Sequence, residues 1–257
     1  MTIDFKFLQI DRLDDTITIR MCQPERRNVL TRSNLQELVR AFSEAGDSSA
    51  RGVIIAGEGP VFSAGHDFSE LANQDVASAR QLFDLCTSMM DTMQQIPQPV
   101  IARVHALATG AGCQLVAAAD LAVASEEATF CAPGGRGGLF CTTPMVAIGR
   151  SIGVKRALEM SMSGDPIDAK TALSWGLVNQ VVPASQLNVA TAALLERVTR
   201  GSAESKGVGK LAFYKQIGMA QTEAYEYAIE VMAEASQSAP SQEGIEAFLE
   251  KRPPVWD

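Results

Sequence analysis

Val100-Ile-Ala-Arg-Val-His-Ala-Leu-Ala-Thr-Gly-Ala-Gly-Cys-Gln114 is the stretch on which the reading of this chain turns. It reads as a buried strand, then a small-residue turn, then the first turn of a helix. A second turn of this kind, Phe62-Ser-Ala-Gly-His-Asp67, closes an earlier strand. Each turn presents a free backbone N–H at a helix start, where the helix dipole favours negative charge. Two such donors converging on one carbonyl oxygen make an oxyanion hole, often the largest electrostatic contribution in acyl chemistry. The pairing points to a site without naming its reaction.

Outward from these turns the chain alternates strands with helices. Thr16–Met21 alternates as a half-buried strand, and Leu35, Leu38, Val39 and Phe42 fall at helical spacing, with Thr31 or Ser33 as the start and Gly46 as the stop. Gly52–Ala56, Val100–Val104 and Leu121–Ala124 read as short apolar strands. Leu82, Phe83, Cys86, Met89, Met90 and Met93 form a helical stripe ahead of Pro97 and Pro99, and its methionines read as core filling. Helices are predicted over 154–162 and 169–175. Beyond Pro183 the character changes, with helices predicted over 186–199, 207–219, 222–237 and 242–250. The prediction is an α/β core over 1–183 followed by a helical region over 184–257.

The 257 residues, 46% hydrophobic and 20% charged, describe an ordinary globular protein. A net charge of −8 argues against nucleic acid or an anionic membrane as the main partner. No apolar run approaches the ~20 residues that cross a bilayer. Met-Thr-Ile-Asp-Phe-Lys at the start has neither a signal-peptide core nor an Arg-rich transit character, so a cytoplasmic protein is expected. Five cysteines without CxxC spacing and only two histidines, His66 and His105, predict no metal site and no disulfide framework.

Several segments, in order, resemble the crotonase (enoyl-CoA hydratase/isomerase) superfamily: Pro24-Glu-Arg-Arg-Asn-Val-Leu30, Phe62–Asp67, Pro99-Val-Ile-Ala102, Gly110-Ala-Gly-Cys-Gln114, Gly164-Asp-Pro-Ile-Asp-Ala169, Trp175–Pro183 and Gln242–Arg252. Gly138-Leu-Phe-Cys-Thr-Thr-Pro144 and the Pro-Val-Trp ending resemble a subgroup, the third paralogue of the mitochondrial enoyl-CoA hydratase domain-containing proteins. Ser63–Asp67 and the Glu-Gly-Ile-Glu-Ala-Phe-Leu-Glu-Lys-Arg tail are also similar to methylmalonyl-CoA decarboxylase. The resemblance implies a spiral of ββα units with C-terminal helices that assemble a homotrimer or a dimer of trimers. It implies a CoA thioester as substrate, with coenzyme A part of that substrate and no separate cofactor. The oxyanion donors it implies are the amides of His66 and Ala111, the latter following Gly110. Arg26, Ala64, Asp67 and Phe68 would run along the adenine and pantetheine, with Pro133 and Phe140 near the acyl group. Lys251 and Arg252 would meet CoA phosphates, also from a neighbouring subunit.

The sequence departs from a hydratase where that chemistry is done. The family's two glutamates correspond here to Gln114 and Gly134. An amide orients water but does not take its proton near neutral pH, and glycine adds only space and backbone freedom. Each general acid–base group is typically worth about 10²–10⁴-fold, so hydration is expected to be weak. Decarboxylation of a malonyl-type thioester needs no base to generate the enolate and is one alternative; a non-catalytic acyl-CoA-binding protein is another. Phe140 stands where the decarboxylase pattern has tyrosine, which weakens that alternative. His66 is a candidate for proton transfer, though packing is the favoured role of its side chain. His105 reads as a satisfied core histidine, Asp67 as a cap, Asp120 as a ligand of local backbone, and Cys113 and Cys141 as packed thiols.

Overall fold

Three consecutive ββα units build the centre of the molecule, as the computed structural model describes for residues 5–256. An antiparallel pair, β1 (Leu8–Leu13) and β2 (Thr16–Met21), leads through a short 3-10 turn at Pro24–Arg26 into α1 (Arg32–Gly46). The units follow as β3 (Gly52–Gly57), β4 (Val61–Ser63) and α2 (Val76–Gln95); β5 (Val100–Val104), β6 (Leu107–Thr109) and α3 (Ala111–Ala118); and β7 (Leu121–Ser125), β8 (Thr129–Cys131) and α4 (Pro144–Ile152). Then come α5 (Val154–Ser163), β9 (Ile167–Asp168), α6 (Ala169–Trp175) and β10 (Gln180–Val182). Four helices end the chain: α7 (Leu187–Thr199), α8 (Ala203–Gln216), α9 (Gln221–Ala235) and α10 (Ala239–Glu250). No helix among the described residues is long and apolar enough to cross a membrane.

The two strands of each unit enter different sheets. One sheet runs β1-β2-β3-β5-β7-β10 and the other β4-β6-β8-β9, with parallel pairing except at β1/β2 and β8/β9. The parallel strands are apolar on both faces because both are covered. Val53, Ile55, Val100 and Ala102 face the main core, while Ile54, Ile101 and Val123 pack on Leu187, Leu194 and Leu195 of α7. The helices follow the predicted stripes. Thr31, not Ser33, caps α1 by accepting from Asn34 N at 3.1 Å, and Leu35, Leu38 and Phe42 are buried. Met89, Met90 and Met93 of α2 are core, as read.

α8 is tied to the core through a buried ion pair. Lys210 Nζ lies 2.8 Å from Asp120 Oδ2 and also donates to Gln98 O (2.8 Å) and Met93 O (3.1 Å). Asp120 accepts in addition from Val100 N (2.6 Å) and from the Tyr214 hydroxyl (2.8 Å). The expectation that Asp120 serves only local backbone is therefore corrected: its partners lie 20 to 94 residues away.

Candidate active site

The site lies where β4, β6 and β8 end side by side. β4 pairs with β6 (Val61↔Leu107) and β6 with β8 (Thr109↔Cys131), so the turns after them stand in a row. These are the turns at Gly65-His66, Gly110-Ala111 and Pro133-Gly134. Gly65 has φ +76, a left-handed conformation that glycine adopts without strain. A Cβ there would lie 2.8 Å from Thr109 O and 3.0 Å from Ala111 N, so the first two turns approach each other with no room for a side chain between them.

The Pro24–Leu30 segment braces the first turn. Leu30 N donates to Gly65 O at 2.7 Å, Ala64 N to Arg27 O at 3.0 Å, and the Ser63 hydroxyl to Asn28 O at 2.8 Å. Asn28, fully buried with φ +49, donates from its amide to Glu58 O and Val61 O. Of this segment, only Arg26 is expected at the site from the sequence, and the bracing by Asn28 is an addition from the structure. An asparagine, which tolerates left-handed backbone, was the signal for this bracing role. Ala111 is the first residue of α3, so its N–H has no acceptor inside the helix and stands at the positive end of the dipole.

Arg26 and Asp67 are brought together as an ion pair between the two turn segments. Asp67 caps the 3-10 turn Phe68–Glu70, accepting from Ser69 N (2.9 Å) and its hydroxyl (2.8 Å), as expected of it. Partial burial opposes ionisation, but Ser69 and Arg26 outweigh it and hold the carboxyl below the usual range. Phe68 beside it is exposed, and Ala64 is half-buried.

The His66 ring stands edge-on to Phe83 of α2, 5.4 Å between centroids at 73°. Both ring nitrogens are buried without a hydrogen-bond partner among the described residues. Burial pushes the imidazole below its ordinary 6.5. The unfolded chain then takes up a proton at higher pH than the folded one. Stability therefore falls as pH drops through 6.5 and levels off below the folded value. Chemical denaturation between pH 7 and 5 is expected to show this slope, and His66→Ala, which keeps the backbone amide, is expected to lose it.

Gln114, in the first turn of α3, is 5% exposed and lines a cavity of about 540 Å³. Its Oε1 is buried with no partner among the described residues. Gly134 is a different case from the open space read in the sequence. A Cβ there would sit 2.1 Å from Leu139 O and 2.7 Å from Cys141 Sγ, and Gly134 N donates to that sulfur at 3.3 Å. The loop that carries Phe140 fills the place, and the exposed Phe140 ring lies against Gly135. Pro133 opens the short 3-10 turn Pro133–Gly137 ahead of it. Burial pushes the thiols of Cys113 and Cys141 upward, away from thiolate. His105, half-buried, is satisfied by Gly59 O at 2.9 Å.

Among the described residues, the two C-terminal cations make no hydrogen bond or ion pair to the turns. Arg252 grips Glu243 at 2.6 and 2.9 Å and Glu250 at 2.7 Å, holding the Glu243 carboxyl down to about 2. Lys251 is exposed at the end of α10.

Comparison with known proteins bears on the fold and the family. The family model described as enoyl-CoA hydratase/isomerase matches residues 13–257. The Xenopus laevis protein named enoyl-CoA hydratase domain-containing protein 3, mitochondrial, is 43% identical over 235 residues, covering 91% of this chain and 80% of its own. The human protein of that name is 40% identical over 247 residues, covering 95% and 82%. Its crystal structure superposes with a TM-score of 0.93 at 40% identity, covering 98% of this chain and all (100%) of the other. An enoyl-CoA hydratase structure from Mycobacterium smegmatis gives 0.94 at 39% identity, covering 98% and 99%. The cytoplasmic expectation is corrected here: relatives at this identity are named mitochondrial, and the composition of the first residues does not fix a compartment. With the model spanning nearly the whole sequence and the spiral of ββα units in place, this chain belongs to the enoyl-CoA hydratase/isomerase (crotonase) family.

Proposed function

We propose that this chain is a CoA-thioester enzyme whose backbone amides at His66 and Ala111 together receive the thioester carbonyl oxygen. The observation that carries the reading is the 3.0 Å between the side-chain position of Gly65 and Ala111 N. Fixed N–H donors in a water-poor site stabilise an enolate or tetrahedral oxygen without reorganising. Coenzyme A enters as part of the substrate, along Arg26, Ala64, Asp67 and Phe68, with Lys251 free to meet a phosphate. Exposed Tyr225, Ile229, Met232, Phe248 and Leu249 on α9 and α10 support self-association as trimers or hexamers.

Simple hydration is expected to be slow, because Gln114 orients water without deprotonating it and Gly134 offers no group. Chemistry that generates its own enolate, such as decarboxylation of a malonyl-type thioester, suits these residues better. The test is calorimetry with CoA esters beside a turnover panel of crotonyl-, malonyl-, methylmalonyl- and ethylmalonyl-CoA. Expected are CoA-ester binding and crotonyl-CoA hydration near background. Gln114→Glu is expected to raise hydration by about 10²-fold, the lower end of what one positioned carboxylate supplies when its usual partner is missing. Gly134→Glu is expected to unfold its loop against Leu139 O instead of completing that pair. Rapid hydration by the unaltered protein sinks the argument from Gln114 and Gly134. Binding without turnover across the panel makes it an acyl-CoA-binding protein, and absence of binding removes the thioester reading altogether.

A further inference from the structure

Two cavities meet at the C-terminal half of α8. The larger, about 540 Å³, is lined by Gln114, Met90, Ala117, Ala147, Tyr214 and Ile217, with Asp91, Arg150 and Lys215 also on its wall. The smaller, about 270 Å³, lies among Pro97, Pro99, Val198 and Lys206. Asp120, Phe213 and Tyr214 line both, and so stand as the wall between them.

That wall is unusually well held. The Tyr214 hydroxyl donates to Asp120 Oδ1 at 2.8 Å, while Asp120 Oδ2 is fixed by Lys210 Nζ and by Val100 N. All three ammonium donors of Lys210 are used, on Asp120, Met93 O and Gln98 O. Phe213 packs edge-on against the Tyr214 ring, with centroids 5.8 Å apart. A hydroxyl tied to a buried carboxylate whose other bonds are complete does not swing aside as an unsupported ring would.

We infer that Tyr214, supported by Asp120 and Lys210, sets the length of acyl chain this protein accepts. Gln114 is the one residue of the site described above that also lines the larger cavity, so in this scheme the acyl chain enters there and ends at the Tyr214 ring. The inference rests on the thioester reading above. Tyr214 is a specificity-determining residue in this scheme, Asp120 and Lys210 positioning residues; none of the three touches the reacting atoms.

The test is calorimetry on the full chain with octanoyl-CoA and tetradecanoyl-CoA. The readout is the ratio of their dissociation constants, which a general loss of packing leaves in place because it weakens both esters alike. The unaltered protein is expected to favour octanoyl-CoA. Tyr214→Ala joins the two cavities and is expected to shift the ratio toward the longer ester by about tenfold or more, since fewer than two extra buried methylenes account for that much. Tyr214→Phe keeps the ring but loses its tie to Asp120, so it is expected to move the ratio in the same direction and by less than Tyr214→Ala does. A ratio unchanged in Tyr214→Ala, or equal weakening of both esters, overturns the inference while leaving the thioester reading intact. Failure of the unaltered protein to bind either ester removes that reading, and the chain-length role with it.

Discussion

Gly65→Ala is expected to lower turnover of any thioester the protein accepts by about 10²–10³-fold, the usual consequence of losing one oxyanion donor. The added methyl has nowhere to go. It would lie 2.8 Å from Thr109 O and 3.0 Å from Ala111 N, and both of these are backbone atoms. The two turns must separate, and the amides on either side lose their common target. The left-handed backbone at φ +76 adds about 1–3 kcal/mol of strain for a residue with a side chain. Steady-state kinetics on the accepted ester, with a thermal melt beside it, separates the two effects. Gly209→Ala in α8 is the control, because a Cβ there meets nothing within 4 Å. Turnover of Gly65→Ala within about twofold of the unaltered protein would refute a site built on paired amides.

Asp120→Ala is expected to be the most damaging to stability, at about 3–5 kcal/mol, because it strands a buried ammonium. The Lys210 and Asp120 side chains are only 10% and 15% exposed, so solvent does little to screen the loss. Two carbonyls remain to Lys210, and the Tyr214 hydroxyl and Val100 N–H lose their acceptor. Burial already lowers the Lys210 pKa, so in the variant the ammonium sheds its proton at a more accessible pH, which caps the penalty. Urea unfolding measures the difference. The double variant Asp120→Ala/Lys210→Met removes both charges and is expected to recover about half of the loss. Equal stability of the single and double variants would show that the stranded charge is not the cause.

Much of this architecture is legible in the sequence because its main strands are apolar runs and its helices carry a clear period. Gly52–Ala56 announces itself as a short continuous apolar run, and the stripe from Leu82 to Met93 through its helical spacing. The second sheet does not. β4, β6 and β8 are three residues each, too short to display any alternation, and they exist because neighbouring turns hold them in register. α4 was readable from Thr143-Pro144, a proline at the first helical position, yet the preceding glycines draw the eye to a loop. The pairings that shape the site were beyond reach for another reason. Arg26 finds Asp67 across 41 residues and Tyr214 finds Asp120 across 94, and no local pattern encodes such partners. Gly134 shows the same limit: its type was plain, while the carbonyl that forbids a side chain there belongs to Leu139 in a folded-back loop.

In each sheet the strands stand in the order in which the ribosome makes them, β1-β2-β3-β5-β7-β10 in one and β4-β6-β8-β9 in the other. Every newly emerged strand thus docks on the margin left by its predecessor, and none has to be inserted between two already joined. Growth of the sheet keeps pace with translation, as expected for a chain that assembles from its N-terminal side. The same order leaves a fresh unpaired margin on the growing side at every stage, a template for joining another chain. A nascent polypeptide halted before Gln180–Val182 would bare the outer flank of β7, and such fragments would be the ones that aggregate.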